Sequence, residues 1–322
     1  MIQKSDTLLT EIINTPNEKK LYDKMCKKIL ANKEILAHIM KECVAEYHEI
    51  SVKDIVERYI EGEPNIGNIN IKTNENIIGM ATEDLNLLNG KTFYDIRYRA
   101  LVPSGNHYIE LILNIEIQND YYPGYPLIKR AINYGANMIA GQYGTEFVKS
   151  DYSKIKKVYS IWICRDVPRY LQNSINRYQL TEQQLMGNFY EQKSNYDLLT
   201  VSNYDLLTVV MIYLGQPVSE TKSAVLKLLN TLLAIEVNSA NKLEFLENEF
   251  GIMRSQKLES EVGLMCNLSI GVERRGIEKG ELSKAIEIAK NFLQMKFSVE
   301  DVAKGSGLSI DEVKLLQAEI AA

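Results

Sequence analysis

The sequence predicts an α/β fold: a small mixed sheet flanked by helices, with an additional helical region at the C-terminal end. Three observations carry this. From Ile109 to Ile117 an apolar side chain recurs at every second position (Ile109, Leu111, Leu113, Ile115, Ile117), the period of a strand with one face buried. Val158-Tyr-Ser-Ile-Trp-Ile-Cys164 is a short apolar run rich in β-formers, suited to a central strand. Helical periodicity precedes, separates and follows these segments.

The elements follow in order. Residues 20–60 read as helices, with Ile29, Ile35, Ile39, Val44 and Tyr47 at helical spacing. Ser51-Val-Lys-Asp54 has the form of a helix start with an acid in the first turn. Asn68–Lys72 and Thr92–Arg99 read as strands. Pro103-Ser-Gly-Asn106 is a turn into His107–Gln118. Tyr121-Tyr-Pro-Gly-Tyr-Pro126 is a rigid turn. It leads into a helix from about Leu127 to Gln142 with Ile128, Ile132, Ala136 and Ile139 on one side.

Beyond Pro168 the pattern is mainly helical. Ser194-Asn-Tyr-Asp-Leu-Leu-Thr-Val201 is repeated without change as Ser202–Val209, and a helix absorbs eight residues with a rotation of only about 80°. Gly276-Ile-Glu-Lys-Gly280 opens a helix, and Ser298 and Ser309 each start another. The last two resemble a helix-turn-helix. The final helix is net acidic through Asp311, Glu312 and Glu319. That favours packing or oligomerisation over DNA reading. The divisions are 1–62 as an N-terminal helical segment, 63–215 as the core, 216–275 as a helical extension and 276–322 as a helical tail.

With 322 residues, 45% hydrophobic and 25% charged, the composition is that of a globular protein. No apolar run is long enough to span a membrane, and the N-terminus lacks a signal-peptide pattern. The expectation is a cytoplasmic protein without a membrane partner. The four cysteines form no C-x-x-C and read as reduced, buried thiols. The three histidines lack zinc-site spacing, no phosphate-binding loop appears, and no histidine neighbours a nucleophile by motif. Net charge is −5, yet residues 91–180 hold twelve Lys and Arg against seven Asp and Glu. A basic middle in an acidic chain points to a phosphate-binding surface.

The chemistry concentrates at the end of the 107–118 strand. Glu116 and Gln118 share the face opposite the apolar row, with Glu110 and Asn114. Pairing this strand with the preceding one as a hairpin brings Asp95 opposite residues around Asn114, near Glu116. Two converging carboxylates repel unless one keeps a proton or a hard cation joins them. The plainer alternative is a pair of solvated carboxylates on a wet sheet face.

Asp95 followed by Glu-Ile-Gln at 116–118 resembles the D-x(n)-E-x-Q variant of the PD-(D/E)XK nuclease motif. Tyr-Asp-Ile-Arg at 94–97, Asn-Ile-Glu-Ile-Gln-Asn-Asp at 114–120, Tyr-Pro-Gly-Tyr-Pro-Leu-Ile-Lys-Arg at 122–130 and Lys-Val-Tyr-Ser-Ile-Trp-Ile-Cys at 157–164 are similar to segments of the PD-(D/E)XK nuclease family transposases, the recombination-promoting nuclease group. The resemblance covers most of the chain and is densest over about 90–215. It implies a restriction-endonuclease-like core and Mg²⁺-dependent hydrolysis of DNA phosphodiester bonds, with Mn²⁺ as a substitute. The setting it implies is transposition, recombination or mobile-element conflict. By that resemblance Asp95, Glu116 and the carbonyl of Ile117 hold the metal, and Gln118 stands where the motif has lysine. Glutamine can orient water but carries no charge. Lys129 and Arg130 are then the candidates for phosphate contacts, with Tyr134 and Gln142 further along the same groove. Glu46 or Glu49 is the candidate acid from an N-terminal helix. DNA is the expected partner, with a homo-oligomer through the C-terminal helices as a second expectation. The competing reading is a catalytically weak or inactive nuclease-fold protein acting as a DNA-binding or protein-interaction module.

Overall fold

The computed structural model describes residues 15–60, 65–66, 83–86, 90–104, 107–181, 183, 185–186, 205–217 and 221–321. The strand expected at Asn68–Lys72 and the first copy of the octapeptide lie outside these residues. Two compact units divide the chain: Asp23–Met265, and Met1–Tyr22 together with Cys266–Ala322.

The larger unit is α/β, with a small mixed sheet flanked by helices. Its strands are β1 (Asn65–Ile66), β4 (Ile96–Ser104), β5 (His107–Gln118), β6 (Lys157–Cys164), β8 (Leu207–Tyr213) and β7 (Ser174–Gln179), in that spatial order. A separate pair, β2 (Glu83–Asn86) and β3 (Gly90–Phe93), lies beside it in sequence. β5, β6 and β8 run parallel; β4 and β7 flank them antiparallel. β4 and β5 form a hairpin closed at Ser104 and His107.

The chain past Pro168 is mainly helical, as its pattern suggests, but two strands precede those helices. Residues 174–179 and 207–213 complete the sheet. The second octapeptide copy supplies Asp205, Leu206 and the first three residues of β8, so the duplication feeds a strand and not a helix. Leu207-Thr-Val-Val-Met-Ile-Tyr213 is a continuous apolar run, the mark of a strand buried on both faces, and its length does not tell it from a buried helix. Eight residues is an even number, so a slip by one repeat would keep the inward face. It would, however, set Ser202, Asn203, Tyr204 and Asp205 where Val210, Met211, Ile212 and Tyr213 are buried. The unique residues after the repeat fix the register.

Helices cover both faces of the sheet. On one face lie α1 (Thr15–Leu30, within this unit from Asp23) and α2 (Lys33–Cys43), with Ile29, Leu36, Ile39, Met40 and Val44 fully buried. Asn32 starts α2 by accepting the Glu34 and Ile35 N–H groups on its side chain. Just after α2, the Tyr47 hydroxyl donates to the Leu101 carbonyl at 2.6 Å. On the other face α3 (Leu127–Ala140) connects β5 to β6. The polar face expected for β5 is thus covered: Asn114 and Glu116 are buried.

α3 seats itself through Leu127, Ala131, Gly135 and Met138, whereas Ile132 and Ala136 are exposed. Small residues decide this rotation, because they let the helix come down on the sheet. A Cβ on Gly135 would stand 2.2 Å from a methyl of Leu207. Gln142, just past α3, is buried, and its amide donates to the Lys156 carbonyl at 3.0 Å and accepts the Lys156 N–H at 2.8 Å. It thereby fixes the entry to β6. Further on, α4 (Ala224–Leu232) and α5 (Ser239–Phe250) follow in the same unit.

α6 (Gln256–Gln294), part of the smaller unit from Cys266, runs unbroken through residues 276–280, where the sequence suggests a helix start. Glycine inside a helix costs about 1 kcal/mol, too little to break a long one. α7 (Val299–Ser306) and α8 (Ile310–Ala321) follow. Gly307 joins them in the left-handed conformation, φ +77°. Ser309 and Glu312 cap α8 reciprocally: Ser309 N–H donates to the Glu312 carboxylate at 2.8 Å, and Glu312 N–H to Ser309 Oγ at 3.3 Å. Ala289, Val302, Leu308, Val313 and Leu316 form the core of this unit.

Among the described residues no helix is long and apolar enough to cross a membrane. The four cysteines are buried and unpaired with one another. Replacing Gln142 with alanine strands the Lys156 backbone groups inside the protein. The expected loss is about 1–3 kcal/mol in urea unfolding, with a Gln142→Glu variant recovering only the acceptor half.

Candidate functional site

The site lies at the C-terminal end of the parallel strands β5 and β6, where open α/β sheets place their ligands. The continuous strand expected over Thr92–Arg99 breaks at Tyr94–Asp95. β3 turns away to pair with β2, and β4 begins at Ile96. Tyr94 is buried against Ile112, Met138 and Val158, which anchors the break.

At the break two carboxylates take over from the ladder. The Asp95 N–H donates to Glu116 Oε1 at 3.0 Å, and the Ile117 N–H donates to Asp95 Oδ2 at 3.0 Å. Arg97, not Asp95, stands opposite Asn114. The hairpin is thus shifted by two residues from the sequence count, and Asp95 meets Glu116 directly. The Ile117 carbonyl lies on the same strand edge as its N–H, towards Asp95.

α1 closes the site from the opposite side. Lys27 Nζ lies 2.5 Å from Asp95 Oδ1. One turn earlier, Asp23 Oδ1 accepts from the Asn119 amide at 2.6 Å. Arg165 donates to Asn119 Oδ1 at 3.1 Å, and its N–H donates to the Gln118 carbonyl at 2.9 Å. The i, i+4 spacing puts Asp23 and Lys27 on one helix face.

On the α3 side, Arg130 donates to the hydroxyls of Tyr134 at 2.8 Å and Tyr125 at 3.1 Å. Its guanidinium lies over the rings of Tyr134 and Trp162, 5.1 and 5.4 Å from the centroids. Trp162 is the β6 partner of Glu116. Glu116 is only 4% exposed. Burial pushes its carboxyl well above the usual carboxylate range, and the neighbouring Asp95 pushes it further. The Asp95 N–H, Asn114 and the positive charge of Arg130 pull it back in part.

The expected site residues separate into two groups. Asp95, Glu116, Ile117, Gln118, Arg130 and Tyr134 come together. The Gln118 amide donates to the Asp120 carbonyl at 2.6 Å, and Lys129 is exposed one residue before Arg130. Gln142 stands apart at the far end of α3, buried on the Lys156 backbone. Glu46 also stands apart. It accepts from the Tyr159 hydroxyl at 2.5 Å and pairs with Lys157 at 3.0 Å, on the sheet face opposite Glu116. Glu49 is exposed beyond α2.

Sequence reasoning does not single out Lys27, Asp23 or Trp162. Lys27 lies 68 positions before Asp95 in the chain. Its only local signal is being one of two lysines beside the buried stripe of Met25, Cys26, Ile29 and Leu30.

The donor set fits a hard divalent cation. It is all oxygen: two carboxylates in direct juxtaposition and one carbonyl edge. Glu116 is a buried acid beside a second acid, an arrangement that a cation relieves. Among the described residues no group of three or more His, Cys, Asp and Glu side chains gathers for a metal.

A carboxyl held above its ordinary range binds its proton more tightly in the folded than in the unfolded state. Its stabilisation is complete below the unfolded pKa and declines as pH rises towards the raised value. In chelator, Glu116→Gln is therefore expected to match the wild type near pH 4 and to exceed it in stability at neutral pH. The expected gain is about 1.4 kcal/mol for each tenfold by which folding tightens proton binding. Urea unfolding at both pH values measures it.

Comparison with protein-family models, with curated proteins and with solved structures returns no match for this chain.

Proposed function

We propose that the chain is a divalent-metal-dependent DNA endonuclease with a restriction-endonuclease-like core, as its resemblance to the PD-(D/E)XK nuclease family transposases implies. One observation carries this reading: the Asp95 and Glu116 carboxylates meet at a strand break at the carboxyl end of parallel strands, Glu116 accepting the Asp95 N–H and Asp95 the Ile117 N–H, with Lys27 against Asp95.

Asp95, Glu116 and the Ile117 carbonyl would hold Mg²⁺ or Mn²⁺. When bound, such an ion lowers the pKa of a water and stabilises charge on a phosphate. The remaining roles fall to side chains. Lys27 brings the positive charge that Gln118 lacks, from a helix instead of the motif strand. In the nuclease it orients the attacking water and offsets charge on the phosphorane-like transition state. Gln118 offers a neutral amide to the same water. Arg130, held in place by Tyr134, Tyr125 and Trp162, grips the adjacent phosphate, and exposed Lys129 meets the next one. Sheet and helices exclude bulk water from the Glu116 side, which strengthens each of these interactions.

A second reading has its own support. The Gln118 amide is committed to the Asp120 carbonyl, and Lys27 already neutralises Asp95. A site balanced in this way suits a DNA-binding or protein-interaction module that no longer cuts.

Incubating supercoiled plasmid with Mg²⁺, Mn²⁺ or EDTA separates the two. The nuclease nicks only with metal. Asp95→Ala and Glu116→Ala abolish nicking while leaving a cooperative unfolding transition. Lys27→Ala lowers the rate by about 100-fold or more, the usual effect of removing one transition-state donor. Plasmid left intact in every metal, by protein that still binds DNA, favours the module.

A further inference from the structure

A groove of about 410 Å³ is lined by Tyr121, Tyr122, Tyr125, Leu127, Tyr178 and Tyr213, with Gly124 and Pro126 between them. That volume falls within the range of small-molecule sites. Among the described residues its walls carry aromatic rings and aliphatic carbon, with no Lys, Arg, Asp or Glu. Tyr122 is 70% exposed, and Tyr125 and Tyr178 are also exposed. The rings brace one another: Tyr121 packs edge-to-face on Tyr122 at 4.8 Å and on Tyr213 at 6.0 Å. Such pairs hold their orientation without a ligand.

One residue joins this groove to the strand end. Arg130 donates to the Tyr125 hydroxyl on the groove rim, while its charge bears on Glu116. Exposed Lys129 adjoins it. An aromatic slot with a fixed guanidinium at its rim matches an object with a planar ring and an attached phosphate.

We infer that the tyrosine groove takes an unpaired nucleobase whose phosphate lies at Arg130, so that the DNA handled here is single-stranded or locally unpaired. The inference rests on the reading of the strand end as a DNA site. Tyrosine faces stack on any base, giving affinity with little sequence preference. A base inside a duplex cannot enter such a slot without leaving its stack, which favours ends, flaps, bubbles and single strands.

The test is equilibrium binding in EDTA, where no cleavage intrudes, by fluorescence anisotropy with the full chain. The probes are a thymidine oligonucleotide, an abasic oligonucleotide of equal length and phosphate count, and a matched duplex. The wild type is expected to bind the thymidine strand about tenfold or more tightly than the abasic one, and more tightly than the duplex. Tyr122→Ala removes that preference without weakening abasic binding, and Tyr122→Phe restores it. The side chain is exposed, so its loss leaves the core intact. Equal affinity for thymidine and abasic strands, a preference that survives Tyr122→Ala, stronger binding of duplex, or no binding at all overturns the inference. The plasmid assay stands apart from it. Base preference without nicking removes the nuclease reading alone, and nicking without base preference removes this inference alone.

Discussion

The crossed hydrogen bonding at the strand break, Asp95 N–H to Glu116 and Ile117 N–H to Asp95, is the joint on which the larger unit turns. It lets β3 leave the sheet while β4 stays in it, because the N–H groups of Asp95 and Ile117, freed where the ladder ends, are taken by two carboxylates. Unsatisfied buried N–H groups are costly, so a strand break inside a fold needs acceptors of this kind. The same arrangement forces two acids together and buries one of them. A structural requirement and a chemical opportunity therefore occupy the same atoms. Lys27, reaching in from α1, compensates on one side, and Arg130 on the other.

The basic character of the middle of the chain is less available than its composition suggests. Arg99 and Lys156 share Glu110 and Glu146 near the hairpin end of the sheet. Lys157 is buried between Glu46 and Asp205. Lys154 pairs with Asp151 at 2.9 Å, and Arg97 lies over the Tyr94 ring. Near the strand end Lys129 is exposed, with Arg130 half-buried beside it. Charge counted along a sequence measures supply; ion pairing decides where any of it meets a ligand.

Much of the fold is legible in local pattern. The alternation of β5, the apolar run of β6, the N-terminal helices and the capping box of Ser309 and Glu312 are short-range signals, and each corresponds to an element. Non-local features are not legible. Whether Leu207–Tyr213 is helix or strand is settled by its parallel pairing with β6. The seated face of α3 is set by Ala131 and Gly135, since closeness of approach outweighs the larger Ile132. The carboxylate pair is legible because both residues flank one hairpin. Lys27 is not, for no periodicity links a helix near the N-terminus to an acid 68 positions away. Gln142 shows the converse: a polar residue at the end of an amphipathic helix reads as surface, yet its two-ended amide is spent on the Lys156 backbone.

The octapeptide bears on heredity as well as on folding. Its copies are identical, so losing either one yields the same polypeptide, and that polypeptide still reads Asp-Leu-Leu-Thr-Val-Val-Met-Ile-Tyr into β8. Gaining a further copy upstream leaves those residues equally untouched. Whole-unit changes in length at this point are silent in the strand. A lineage can vary the spacing ahead of a central strand without altering one residue of the sheet it completes.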